Sequence, residues 1–325
     1  MSADKSTEAS GENKATSEAI TTAPAPEKAK KQKRRRGDRR DGTFIRNADT
    51  MHKFMPYLLP NRTDNEAMMM ERVEMAAVEE YVKKKNEETG DEFKYTMFHV
   101  ICAAIAKIMY LRPKMNYFYE GHRLYERNEI SLSFTVKKKF EDHSDEALAI
   151  IKVDKDSDVS PIEQIHGKIK DFLAIVRGKN EQDGTTDILD SLVKLPRPII
   201  RFIVWFLNKL EYHDMMPKSL VEFDPYHSSV FVSNTGSIKL SANYHHLANW
   251  GTNSFFVLIG ERKPMPFYDE NGNVTMKLAV DFALTVDERI ADGYYFSKTV
   301  RLLRFLMAHP EELEKPLTAP IDFEY

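Results

Sequence analysis

The stretch LTVDERIADG, Leu284–Gly293, places Asp287 and Glu288 directly before Arg289, and Asp292 three residues after it. Apolar residues at strict period two lead into the stretch, and a helical pattern follows it. The acids and the arginine therefore sit at a strand-to-helix turn, a place where a carboxylate can accept a proton or hold an ion pair. A second candidate group is NYHHLANWG, where His245 and His246 lie between two strand signals. Either imidazole could act as a base near neutral pH. The plainer reading is a surface or capping histidine beside Trp250. Two adjacent histidines are a weak metal signal, because neighbouring side chains point apart and no third ligand is evident, so no metal site is expected.

Bulk properties narrow the possibilities. The chain has 325 residues, enough for one large or two ordinary domains. Its formal net charge of −3 argues against a chain-wide polyanion binder. Cys102 is the only cysteine, which rules out an internal disulfide and a cysteine-rich metal site. It lies in the apolar run MFHVICAAIAKIM and reads as a small buried hydrophobe. One thiol and an N-terminus without an apolar signal core lead to an expected cytoplasmic location. The most apolar run, PIIRFIVWFL, is too short to span a bilayer and contains Arg201.

The elements that must position these residues follow from periodicity. Residues 1–43 are poor in apolar side chains and are expected to be a disordered tail. Its end, KAKKQKRRRGDRR at residues 28–40, is basic enough to contact an anionic surface, or simply to be a solvated tail. The folded part is expected over 44–325. NEAMMMERVEMAAVEEYVKKKNEE shows helical spacing, and YTMFHVICAAIAKIMYLRP is a second, buried helix that Pro113 ends. Ile130, Leu132, Phe134 and Val136 alternate as a strand, and ALAIIKV is another. SPIEQIHGKIKDFLAIVRG opens with a Ser160–Glu163 capping box and reads as a helix. Residues 183–225 form a hydrophobic helical insertion broken at Pro196 and Pro198. Strands follow at SSVFVSN, SFFVLIGE and VTMKLAVDFALTVD, the last preceded by an Asn271-Gly272 turn.

Asp287, Glu288, Arg289, Asp292 and Gly293 are spaced as in D-H-R-x-x-D-G, the motif of the catalytic domain of 2-oxoacid dehydrogenase acyltransferases, whose H-x-x-x-D-G core is shared with chloramphenicol acetyltransferase. VFVSNTGS resembles the family's I-S-N-L-G strand and turn. LRPKMNYFYEGHRLYERNEISLSFTV resembles its helix-end and strand region, with Pro113 and Asn116 in the matching places. The resemblance covers about residues 45–325, apart from the insertion. It implies an α/β two-layer sandwich, a mixed β-sheet with helices on one face. It also implies a homotrimer with acyl-transfer sites between subunits and coenzyme A as acyl carrier. Carried over, Ser233 is the donor to the tetrahedral intermediate and Asp292 a structural ion-pair acid. The first 43 residues do not fit the family's lipoyl domain.

Glu288 stands where the family has its catalytic histidine. Moving a proton from a thiol (pKa about 8.5) to histidine is uphill by about 2.7 kcal/mol, and to an ordinary glutamate by about 5.7 kcal/mol. The difference lowers a rate limited by that step about 150-fold, unless burial raises the carboxyl. Glu288 is thus either a retuned base or a remnant. The leading expectation is an acyltransferase using a coenzyme A or pantetheine thioester. Its rivals are a catalytically silent trimeric scaffold and a surface-binding protein acting through the basic tail.

Overall fold

A computed structural model describes residues 34–137, 146–178 and 192–323. The central sheet has the strand order β2-β10-β8-β7-β5-β6, with β2 Glu66–Glu74, β5 Ile130–Lys137, β6 Glu146–Val153, β7 Val230–Asn234, β8 Phe255–Ile259 and β10 Val274–Asp287. β7 runs parallel to both neighbours and the other pairs are antiparallel. A further strand, β9 Lys263–Tyr268, pairs with the first half of β10 and extends as a hairpin. Its turn closes on Asp269, with Gly272 at φ 81°, so the Asn-Gly signal marks a real reversal. Three short strands, β1 Gly42–Phe44, β3 Tyr117–Glu120 and β4 Arg123–Arg127, make a second sheet.

Helices α2 Ala76–Thr89, α3 Met97–Leu111, α4 Pro161–Gly178 and α7 Gly293–Ala308 contribute to the layer on one face of the large sheet. α3 is buried nearly all round, as its sequence requires, and Cys102 lies within it. Leu132, Val232, Val257, Phe282 and Leu284 point into this core, against Ile105, Ile165 and Leu303 of the helices. Their sequence neighbours Phe231, Phe256, Leu258 and Ala283 form a smaller cluster on the opposite face, where Ala242 and Leu247 cover them. Arg36–Tyr325 is one compact unit.

Two expectations need correction. Glu66–Glu74 is a strand, not the start of a helix. Methionine and glutamate favour helix, but Ala67, Met69, Glu71 and Val73 alternate with more exposed neighbours, and nine consecutive residues pair with β10. Tertiary pairing outweighs a propensity difference of a few tenths of a kcal/mol per residue. The ordered chain also begins before residue 44. β1 starts at Gly42, and Arg39 is buried in an ion pair with Asp41 and Glu211. Arg40 is paired with Asp214, so two cations of the basic run at 28–40 are already engaged; residues 28–33 lie outside the described residues. In the insertion two helical stretches do meet at the prolines: Leu192 and Val193 are helical, the chain turns over Lys194 and Leu195, and Pro196 caps while Pro198 stands in the first turn of the next helix, α5 Arg197–Tyr212, as suits a residue without an amide hydrogen. Residues 183–191 lie outside the described residues. A one-turn helix, α6 Lys218–Val221, leads on toward β7.

Candidate active site

β10 delivers the acidic turn. Asp287 is its last residue, and the backbone then tightens into a single 3-10 turn, Glu288–Ile290, before α7 begins. Asp287 is fully buried, and its two carboxylate oxygens accept from Nε and Nη2 of Arg289 at 2.8 and 2.7 Å. Nη1 of Arg289 donates to the carbonyl of Leu59 at 2.8 Å. A second buried arginine, Arg62, places its Nε 3.9 Å from Asp287 and donates to the carbonyls of Ala248 and Tyr119. One carboxylate between two guanidiniums, each anchored on backbone oxygens, is a rigid support for the turn.

The other acids of the turn behave differently. Glu288 is exposed, and its carboxylate makes no hydrogen bond or ion pair among the described residues; its amide donates to Asn65. Asp292 is exposed and caps α7, accepting from the amide of Tyr295 at 2.8 Å. The resemblance implied an ion pair for Asp292; in this chain Asp287 makes that contact and Asp292 is a helix cap. The apolar surroundings considered for Glu288 are not supplied by the described residues.

Ser233 is half-buried near the end of β7, and its hydroxyl is also unengaged among the described residues. The turn after it relies on Gly236: a Cβ there would lie 2.3 Å from the carbonyl oxygen of Gly260. Ser233 faces the side of the sheet away from the helices, as does Phe231. On this face the His245 ring stacks on Phe256 at 4.2 Å, and Phe256 stacks on Phe231 at 4.9 Å. His245 is therefore close to the serine's strand. Its Nδ1 meets the carbonyl of His246, and Nδ1 of His246 meets that of Leu247.

The ladder also shows how far Ser233 is from the turn. Ser233 pairs with Leu258, and Leu258 with Ala283. Glu288 is therefore two strands across and five residues along, roughly 10 Å by 17 Å, which separates the two by about 20 Å. Within one chain they cannot touch the same atom.

Beside the turn is a cavity of about 200 Å³, lined in part by Arg62, Arg289, Tyr119, Glu120, His122 and Tyr212. Burial raises the Glu120 carboxyl, with Glu211 adding to the rise, while Arg62 and Arg39 oppose it. Another polar group holds the approach to β7. His227 is buried, with Nε2 at 3.1 Å from Glu211 and Nδ1 at 3.1 Å from Asp224. Glu211 also binds Arg39, and Asp224 accepts from the indole of Trp250. None of these partnerships is visible by spacing except the Asp224–His227 step of three, and even that gives no sign that Glu211 would complete it.

By sequence, no family model and no curated protein matches the chain. Solved structures do match. A probable dihydrolipoamide acetyltransferase from Listeria monocytogenes superposes with a TM-score of 0.51 at 18% identity, covering 82% of this chain and 92% of its own. Azotobacter vinelandii dihydrolipoamide acetyltransferase, in which a serine, a histidine and an asparagine have roles in the catalytic mechanism, gives 0.50 at 12% identity, with coverages of 81% and 88%. Chloramphenicol acetyltransferase gives 0.50 at 10% identity, with coverages of 82% and 99%. The chain has the chloramphenicol acetyltransferase-like fold. The mixed sheet with helices on one face agrees with what the three motifs implied. In this acyltransferase-like fold the acidic turn lies at the end of the longest described strand, and Ser233 near the end of a parallel one.

Proposed function

We propose that this chain transfers an acyl group between coenzyme A, or a related pantetheine carrier, and an acceptor, and that it does so as a homotrimer with each site shared by two subunits. The observation that carries this reading is the pair Ser233 and Glu288. Both side chains are unengaged among the described residues, both occupy motif positions, and they are about 20 Å apart in one chain. A second copy supplies the only arrangement in which they face one substrate.

In such a site Glu288 takes the thiol proton of coenzyme A. The thiolate sulfur attacks the acyl carbonyl carbon, and the partner subunit's Ser233 donates its hydroxyl hydrogen to the oxygen that becomes negative. The intermediate collapses as the bond to the leaving group breaks, and that group takes the proton back from Glu288. Asp287, Arg289 and Arg62 hold the turn, and Asp292 starts the helix behind it. Coenzyme A is a substrate here, and no metal or lipoyl group enters the scheme.

Acyl-coenzyme A with a panel of thiol and amine acceptors, dihydrolipoamide among them, tests the activity through the free coenzyme A and acylated acceptor formed, separated by chromatography. Ser233→Ala is expected to lower the rate on the order of 10² to 10³, as loss of an oxyanion donor does. Glu288→Gln is expected to abolish it, while Glu288→His sustains it. If Glu288→Gln stays active and His245→Ala or His246→Ala does not, the base is a histidine. A stable monomer in light scattering would remove the shared site. The second reading, a silent trimeric scaffold, draws on the glutamate in the base position. A trimer that shows no heat of binding with coenzyme A would establish it.

A further inference from the structure

Helix α5 has more apolar surface than the described residues cover. Ile200, Ile203, Leu207 and Leu210 form a half-buried stripe facing the protein, and Glu211 is its only fully buried residue. A neighbouring stripe, Ile199, Phe202 and Phe206, together with Trp205, faces outward. Phe202 is 61% exposed and Trp205 55%, with the Phe202 ring 5.8 Å from Trp205 and 6.3 Å from Phe206. Isolated exposed apolar residues are ordinary, but a contiguous aromatic patch marks an interaction surface.

A second patch lies beside it. On α1, Thr50–Leu58, the residues Met51, Phe54 and Leu58 form an exposed stripe with Tyr57 next to it. Tyr57 stacks on His122 at 4.8 Å, and His122 meets Tyr212, the last residue of α5, edge-on at 5.9 Å. Both helices therefore flank the β3–β4 turn and the cavity next to the acidic turn.

Charge decides what fits. From Leu192 to Leu210 there are four cations, Lys194, Arg197, Arg201 and Lys209, and no acid, in a chain whose net charge is negative. None of the four makes an ion pair among the described residues. No described helix is long and apolar enough to cross a membrane. A basic helix of about 24 Å with Trp and Phe on its apolar face suits the plane of a lipid interface. A second copy of this chain would have to bring a complementary acidic, apolar surface.

We propose that α5, with α1 beside it, is a lipid-surface element: Phe202, Trp205 and Phe206 enter the acyl boundary of an anionic monolayer while Lys194, Arg197 and Arg201 meet its headgroups. This proposal does not depend on the acyltransferase reading.

Flotation of the full chain with phosphatidylcholine vesicles, with and without phosphatidylglycerol, tests it. Binding is expected only with phosphatidylglycerol, together with a blue shift of Trp205 emission and quenching by brominated lipid, both lost in Trp205→Phe, which keeps Trp250 as reference. Phe202→Ser with Trp205→Ser is expected to abolish binding and leave the thermal midpoint unchanged, since both side chains are exposed. Arg197→Gln with Arg201→Gln is expected to weaken binding roughly 30-fold, about five-fold per cation. Absence of binding, equal binding to neutral vesicles, or binding untouched by the double serine variant, as tail-driven binding would be, overturns the proposal. So does a double serine variant whose oligomeric mass falls while the wild type ignores vesicles, which would make this face a subunit contact.

Discussion

Replacing His227 should remove a pH dependence that the buried cluster builds into stability. Burial pushes the imidazole down, but the hydrogen bonds and charges of Asp224 and Glu211 outweigh it and raise it from 6.5 to about 9. The same contacts hold both carboxyls below their ordinary range despite burial. The native state therefore keeps a proton that the unfolded chain releases. A raised folded pKa gives stability that is fully present below about pH 6.5 and is lost as pH rises through about 9. Two and a half pKa units correspond to about 3 kcal/mol, and between these limits stability falls by about 1.4 kcal/mol per pH unit. Urea unfolding of the wild type and His227→Gln at intervals across that window would measure it. Other groups titrate there too, so the quantity to read is the difference between the two slopes. His227→Gln should also be less stable at pH 6, on the order of 3 to 5 kcal/mol, because Glu211 and Asp224 lose the charge between them. Parallel slopes would refute the reasoning, as would an imidazole that titrates near pH 6.5 by NMR.

Asp287→Ala should cost on the order of 3 to 5 kcal/mol in chemical unfolding, since it leaves the buried Arg289 and Arg62 without their carboxylate. Asp292→Ala should cost only about 1 kcal/mol, the usual value of an N-cap; a loss as large as that at Asp287 would mean that Asp292 has an ion-pair role after all. Gly236→Ala should reduce acyl transfer through the position of Ser233, because the added methyl forces the turn away from Gly260; wild-type activity and melting would show that the close approach is not needed.

Much of the fold was legible because it rests on local pattern. β10 matches the period-two run from Val274 to Asp287, and α4 matches the helix opened by the Ser160 cap. Cys102 is buried in α3, as a lone thiol in an apolar run should be. β2 was not legible, because a methionine-rich segment of helical propensity becomes a strand only when β10 is there to pair with it. The geometry of the candidate site was legible only in part. The motif spacing singled out the turn and Ser233 as candidates, but not that Asp287 takes both arginines while Glu288 and Asp292 face solvent.

Sequence by itself determined the fold class, through periodicity and three ordered motifs, and it drew attention to Glu288 at the strand-to-helix turn. Tertiary structure alone decided which acid is structural, because Arg62 reaches Asp287 across 225 positions of chain and no spacing encodes such a contact. It also decided that Ser233 and Glu288 are two strands and five residues apart, since strand order is a property of long-range pairing. The same holds for α5. Its apolar residues were visible in the sequence, but which of them remain uncovered depends on how much surface the rest of the chain offers to pack against it.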